Sequence, residues 1–226
     1  MIKSLLDSVM ERRSRRLIEQ VGEFLPAEGP VLDLGSGTGH VSARLERERG
    51  LEVVTADVSD IHVVGPAPVL IGDGVLPFAN ETFSSALLFF MLAYPHDPGA
   101  VLTEAARVTR GPIILIQTVH SNRLGYAWFR LREFVWTFAA FHLSRLVGYV
   151  PRDATFRMHT RRFYTAPELR RQIAGAGLRI HAQRERPVLP GRSLFVAGWI
   201  LEPASARDGK TRAAAGTRCL RSASRS

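Results

Sequence analysis

Cysteine is almost absent. One occurs in 226 residues, Cys219, near the C-terminal end. A disulfide scaffold, a zinc cluster or a catalytic thiol in the body of the chain therefore has no support, and a reducing, cytoplasmic setting is expected. Long apolar runs are missing as well. Ala86–Tyr94 and Phe134–Phe141 are the longest, well short of the ~20 residues of a membrane-spanning helix. The opening stretch MIKSLLDSVMERRSRRLIEQ has no uninterrupted apolar core of the signal-peptide kind. No internal repeat is present, which sets aside solenoids and propellers. Basic residues are scarce in the first half: residues 1–120 hold 10 Lys/Arg against 15 Asp/Glu, whereas residues 121–172 hold 10 against 3 and residues 204–226 hold 6 against 1. The net charge of +9 thus belongs to one internal segment and one tail. A chain that gripped nucleic acid along its length would not have an acidic first half, so no specific nucleic-acid partner is expected.

What is present alternates. Residues 3–25 read as an amphipathic helix closed off by Pro26 and the Gly29-Pro30 pair, an N-terminal helix over residues 1–25. Val31–Leu34 reads as a short buried strand, Gly35–Gly39 as a turn, Val41–Glu48 as a helix and Leu51–Ala56 as the next strand, a parallel βαβ unit. A brief strand at Val69–Ile71, a strongly apolar one within Thr82–Met91, a helix over Pro98–Thr109 and an isoleucine-rich strand at Pro112–Gln117 continue the alternation. This pattern predicts an α/β fold, a doubly wound and mostly parallel sheet. Residues 124–150 look helical but are apolar on most sides, within a helical insert over about 122–163. Thr165-Ala-Pro-Glu-Leu has the form of a helix start, with Thr165 as N-cap and Glu168 three residues on. Arg179–Arg184 and Ser193–Leu201 read as strands, an antiparallel pair at the C-terminal edge. The one main domain spans 26–203, and the small, polar, basic tail over 204–226 is expected to be disordered.

The turn VLDLGSGTGH carries the chemistry. A glycine turn between strand and helix lets a ligand approach the backbone at a helix N-terminus. Dinucleotide folds use the spacing G-x-G-x-x-G for pyrophosphate. Here the spacing is Gly35-x-Gly37-x-Gly39, and His40 stands where the third glycine would fall. Asp33 lies in the strand behind the turn, and a carboxylate there repels a pyrophosphate but suits a ligand with a positive amine. A plain tight βα turn also accommodates these glycines, and Asp73 in an Asp-Gly pair also suits an Asx-turn.

With Asp57 about 20 residues past the turn, GDGVLPF over Gly72–Phe78, TEAARVTRG over Thr103–Gly111 and YTAPELRRQIAGAGLRI, the chain resembles the class I S-adenosylmethionine-dependent methyltransferases. The likeness is to their small-molecule (type 11-like) branch and runs over roughly residues 12–201. It implies a Rossmann-like fold and S-adenosyl-L-methionine as cofactor. It also implies that Asp33, Gly35, Ser36, Gly37 and Gly39 hold the methionine end and Asp57 the ribose. Val58, Asp73, Gly74 and Leu92 would surround the adenine.

The acceptor side is less conventional. The fourth strand carries Phe83-Ser84-Ser85 where the family often has Phe-Asp, and Leu92-Ala93-Tyr94-Pro95-His96 follows it without the usual polar pair. Ligands of open α/β sheets bind beyond the carboxyl ends of strands, which makes His120, His96 and Tyr94 the candidate bases. Histidine titrates in the useful range. In the insert, Trp128, Phe129, Phe134, Trp136, Phe138 and Phe141 either complete the core beneath a lid or line a greasy acceptor pocket ringed by Arg130, Arg132, Arg145, Arg157, Arg161 and Arg162. The second reading suits a small, hydrophobic, anionic acceptor, such as a lipid, a quinone precursor or an aromatic metabolite. It also suits peripheral contact with an anionic membrane. An alternative of a different class is a catalytically silent assembly protein that keeps the cofactor pocket and uses the insert as its interface.

Overall fold

The computed structural model describes residues 2–72, 75–135, 141–149, 160–187 and 194–203. In chain order the elements are α1 (Ile2–Val21), β1 (Val31–Leu34), α2 (His40–Arg49), β2 (Val53–Asp57), β3 (Val69–Leu70), β4 (Ser85–Phe89), α3 (Pro98–Val108), β5 (Ile113–His120), α4 (Arg123–Phe134), α5 (Phe141–Leu146), α6 (Ala166–Gly175), β6 (Leu178–Pro187) and β7 (Leu194–Pro203). The seven strands form one sheet in the order β3-β2-β1-β4-β5-β7-β6. Pairs from β3 through β5 are parallel, while β7 runs antiparallel to both β5 and β6. The chain winds outward from β1 to β3 and then returns to place β4 on the other side of β1. That reversal opens a crevice at the carboxyl ends of β1 and β4, where open α/β sheets bind ligands.

The central strands β1, β4 and β5 are near-continuous apolar runs because both faces of the sheet are covered there. Alternate residues go to opposite sides, as the period of 2 requires. Leu32, Leu34, Ala86, Leu88, Ile113 and Leu115 join Leu102, Val108, Leu169 and Ile173 of α3 and α6 in one core. Val31, Leu87, Phe89, Ile114 and Ile116 join Leu17, Ile18 and Val21 of α1 and Leu45 of α2 in the other. Burial of Arg44 on α2 fastens α1 in place: its Nε donates to Ser14 Oγ at 3.0 Å, and its guanidinium pairs with Glu11 of α1 and Glu48.

Several boundaries move from their sequence expectations for visible reasons. The fourth strand is only Ser85–Phe89. At its start Ser84 N and Oγ both donate to the Pro30 carbonyl at 2.8 Å, and at its end Phe90 takes a left-handed φ of 60°. The fifth strand runs on to His120 because β7 pairs with it along its whole length, from Ile113 opposite Leu201 to His120 opposite Leu194. The N-terminal helix ends at Val21, and Phe24 and Leu25 beyond it still pack against the core. The helical stretch expected over 124–150 is α4 and α5. Trp136 and Phe138 between them, Arg157 and the tail 204–226 lie outside the described residues. At α6 the expected capping box is present: Thr165 N donates to Glu168 Oε2 at 2.8 Å, and Glu168 N donates to Thr165 Oγ1 at 3.4 Å. No helix among the described residues is long and apolar enough to cross a membrane.

Candidate active site

The glycine turn joins β1 to α2 at the sheet crevice, and all three glycines have positive φ: 79° at Gly35, 58° at Gly37 and 82° at Gly39. Their surroundings differ. A Cβ at Gly35 would lie 2.8 Å from Met91 Cβ, and one at Gly39 would lie 2.3 Å from the Val64 carbonyl oxygen. At Gly37 it would meet nothing within 4 Å. Two glycines are therefore required by close packing within the chain, and the middle one opens onto space.

The turn consumes its own donors. Gly35 N and Ser36 N donate to the Ala56 carbonyl at 2.7 and 3.4 Å, Gly39 N donates to the Ser36 carbonyl at 3.1 Å, and Gly37 N donates to Asp57 Oδ2 at 2.8 Å. A pyrophosphate cradle needs such groups pointing outward. Here four are already satisfied, and two carboxylates lie behind them. Asp33 is buried beneath the turn and accepts from Ser42 Oγ of α2 at 2.5 Å. Burial pushes its carboxyl up to about 6, against the lowering effect of the Ser42 hydrogen bond and with a contribution from the nearby Asp57 charge. Asp57, at the carboxyl end of β2, is also buried and also raised by desolvation, although Gly37 N and Ser59 N donate to it. Two desolvated carboxylates so close favour a ligand that brings positive charge and disfavour an anion.

Two histidines whose roles the sequence did not show hold this turn. His62 Nδ1 lies 2.5 Å from the Pro66 carbonyl, which can only accept, so in the neutral ring Nε2 accepts from Ser36 Oγ at 2.8 Å. Val63 N and Val64 N donate to the Thr38 carbonyl at 3.1 and 3.4 Å, so the loop over 60–66 clasps the turn. His40 is buried, its Nδ1 3.0 Å from Thr38 Oγ1 and its Nε2 3.1 Å from Asp7 Oδ1 of α1 and 3.5 Å from the Tyr149 hydroxyl. The residue that replaces a third glycine thus ties turn, N-terminal helix and insert together. Burial, with Asp7 and Glu11 nearby, pushes the Tyr149 hydroxyl up to about 12. Tyr164 performs a similar service across the crevice: its hydroxyl donates to the Leu92 carbonyl at 3.1 Å, and its own carbonyl accepts from His120 N at 2.9 Å. No local pattern in the sequence announces contacts so far apart in the chain; only the YTAPEL segment marked Tyr164.

Among the other sequence candidates, Val58 is exposed just beyond β2, and Leu92 is wholly enclosed in the core. Asp73 and Gly74 lie outside the described residues. Glu104 and Arg107 of α3 grip the segment over 76–78: Leu76 N donates to Glu104 Oε2 at 2.8 Å, and Arg107 donates to the carbonyls of Leu76 and Phe78. Of the candidate bases, His96 is exposed and Tyr94 half-buried beyond β4. His120 ends β5 with a buried Nδ1 that has no hydrogen-bond partner among the described residues, its ring 5.4 Å from that of Tyr126 on α4. The serines at 84 and 85 bear on none of this. They sit at the amino end of β4, where Ser85 Oγ donates to the Pro112 carbonyl at 2.7 Å and the Ser84 carbonyl lies where a Cβ on Gly111 would need to be. Their departure from the family pattern is structural and remote from the crevice.

A methyltransferase domain family model matches residues 6–183. Among curated proteins, demethylmenaquinone methyltransferase of Corynebacterium efficiens is 34% identical over 109 residues, covering 46% of this chain and 45% of the relative. The protein of the same name from Thermobifida fusca is 35% identical over 104 residues, covering 40% of this chain and 44% of the relative. The chain thus spans about half the length of the curated relatives it matches. Among solved structures, the geranyl diphosphate C-methyltransferase of Streptomyces coelicolor, in complex with Mg2+, geranyl diphosphate and S-adenosyl-L-homocysteine, aligns with a TM-score of 0.59 at 12% identity, over 84% of this chain and 79% of that one. That likeness is one of fold.

Proposed function

Because this chain belongs to the methyltransferase domain family, we propose that it binds S-adenosyl-L-methionine at the glycine turn and methylates a small, hydrophobic, anionic acceptor. The observation that carries the reading is the turn itself: four of its N–H groups are spent internally and two desolvated carboxylates lie behind it. That arrangement suits a cationic nucleoside and opposes a pyrophosphate, which separates it from a nicotinamide site. When bound, S-adenosyl-L-methionine supplies a methyl group on a sulfonium centre, open to in-line displacement.

The chain's own groups bind and orient. Gly37 leaves the backbone uncovered where the ligand must approach, while Gly35, Ser36 and Gly39 keep the turn closed on the loop over 60–66. Asp33 supplies negative potential from beneath for the methionine end. Asp57 has one oxygen on Gly37 N and accepts from the ribose hydroxyls. Val58 borders the adenine. Positioning supplies much of the acceleration of such a displacement. His120 Nδ1 is the group set to take a proton from an acceptor that arrives protonated, since it is buried, without a hydrogen-bond partner among the described residues, and at the carboxyl end of β5. Tyr94 and His96 border the same end of the sheet.

The acceptor class rests on the insert's aromatics and arginines. It agrees in character with relatives named for a menaquinone precursor and a neighbour named for geranyl diphosphate. Calorimetric titration with S-adenosyl-L-methionine, S-adenosyl-L-homocysteine and NAD tests the reading. Micromolar binding of the first two and none of NAD is expected; absence of binding by both would overturn it.

A further inference from the structure

The insert's first helix has two faces with opposite surroundings. Gly125 and Phe129 of α4 are buried, and Tyr126 and Phe129 meet the Phe163 ring at 5.4 and 5.8 Å. On the other side Leu124, Trp128, Leu131 and Val135 follow one another at steps of four, three and four residues, which brings them onto one stripe. They are 80%, 46%, 55% and 53% exposed. An amphipathic helix that buries one face should turn its polar residues outward; this one turns out a tryptophan and three aliphatic residues. Arg123 and Arg130 are exposed on the same helix. Arg161 and Arg162, also exposed, are brought beside it by Phe163 and by their backbone N–H bonds to the Ala93 carbonyl at 2.8 and 3.1 Å.

We propose that this outer face of α4 docks on an anionic lipid bilayer, with Leu124, Trp128, Leu131 and, just past the helix end, Val135 entering the interfacial region and Arg123 and Arg130 on the headgroups. Charge complementarity selects the occupant. Residues 121–172 carry 10 Lys/Arg against 3 Asp/Glu, so a second copy would bring the same arginines against each other. An exposed helix face that carries a tryptophan and aliphatic residues beside arginines suits a fluid interface. The inner face of the same helix meets His120 through Tyr126, so the bilayer lies on one side of α4 and the acceptor crevice on the other. The inference rests on the proposed hydrophobic acceptor, which it supplies from the lipid phase.

The test is sedimentation of the full chain with vesicles at low salt. The chain should pellet with phosphatidylcholine vesicles holding about one-third phosphatidylglycerol and stay in solution with phosphatidylcholine alone. Trp128→Asp with Leu131→Asp, which leaves every basic residue in place, should lower partitioning by about tenfold or more. Arg123→Gln with Arg130→Gln should weaken binding and flatten its salt dependence. Thermal unfolding verifies that each variant folds, and the arginine pair keeps the test open if the aspartate pair does not. Three results would overturn the proposal: no pelleting of the parent chain, undiminished pelleting of the aspartate variant (binding by the basic tail), or a parent dimer that the aspartate variant dissolves. Calorimetry with S-adenosyl-L-methionine on the same preparations separates the two readings. Ligand binding without vesicle binding removes only the docking; vesicle binding without ligand binding removes only the methyltransferase reading.

Discussion

Asp33 has the most to say about pH. Its ordinary value is 3.8 and burial raises it to about 6, so the folded chain holds this proton more tightly than the unfolded chain. The sign follows: the stabilisation from that proton is fully present below 3.8 and is lost as pH rises through about 6. The free chain should therefore lose stability over that window, and Asp33→Asn should flatten the profile, as thermal unfolding against pH would reveal. Affinity for a cationic ligand should rise with pH over the same interval, because ionised Asp33 is the form that attracts it. At Asp57, replacement by alanine should weaken S-adenosyl-L-methionine binding by roughly 1–3 kcal/mol by removing charge-assisted hydrogen bonds, readable by calorimetry. The glycines should separate by their surroundings. Gly37→Ala adds only the strain of a left-handed residue, about 1–2 kcal/mol, whereas Gly39→Ala also drives a methyl into the Val64 carbonyl. The melting temperature should fall further for Gly39→Ala, while both lose ligand affinity. That the turn would need glycines was legible in the sequence, since positive φ and close approach demand them. That His62 and His40 hold it was not, because their partners lie 26 and 33 residues away.

At the scale of elements, local chemistry fixed ends well where a cap exists and poorly where pairing decides. The Thr165 box is an example of the first. Thr165→Ala should cost about 1 kcal/mol by leaving the first turn of α6 uncapped. Because Tyr164 adjoins it and spans from Leu92 to His120, the loss should also loosen the crevice, which amide exchange at Leu92 to Tyr94 would register. β5 is an example of the second: its last residues are strand because β7, some 80 residues later in the chain, lies alongside them. The insert shows why composition alone leaves two readings open. Its apolar residues suggest core or pocket equally, and only the packed helix separates Phe129, which is buried, from Trp128, which is not.

Across the whole molecule the binding site is a meeting point. β1, β2 and β4 end there, the loop over 60–66 clasps the turn, and α1 reaches it through Asp7 and His40. A ligand that binds there and not to the unfolded chain should stabilise the molecule as a unit. At a hundredfold excess over Kd, S-adenosyl-L-methionine should add about 2.7 kcal/mol, seen as a single cooperative rise in melting temperature, and NAD should add none. The serines at 84 and 85 argue the same point in reverse. They looked like a defect in the acceptor site, yet the folded chain puts them at the far end of β4, holding the sheet together.

The amino-acid sequence by itself determined the α/β alternation, the glycine turn and the two carboxylates behind it, because buried strands, left-handed turns and helix caps are dictated by residues close in the chain. Only the tertiary structure decided that four of the turn's N–H groups are spent inward, that His40, His62 and Tyr164 brace the crevice, and that α4 turns an apolar stripe outward. Each of those depends on segments tens of residues apart meeting at fixed distances, and solvent exposure is a property of the packed molecule, which no local pattern contains.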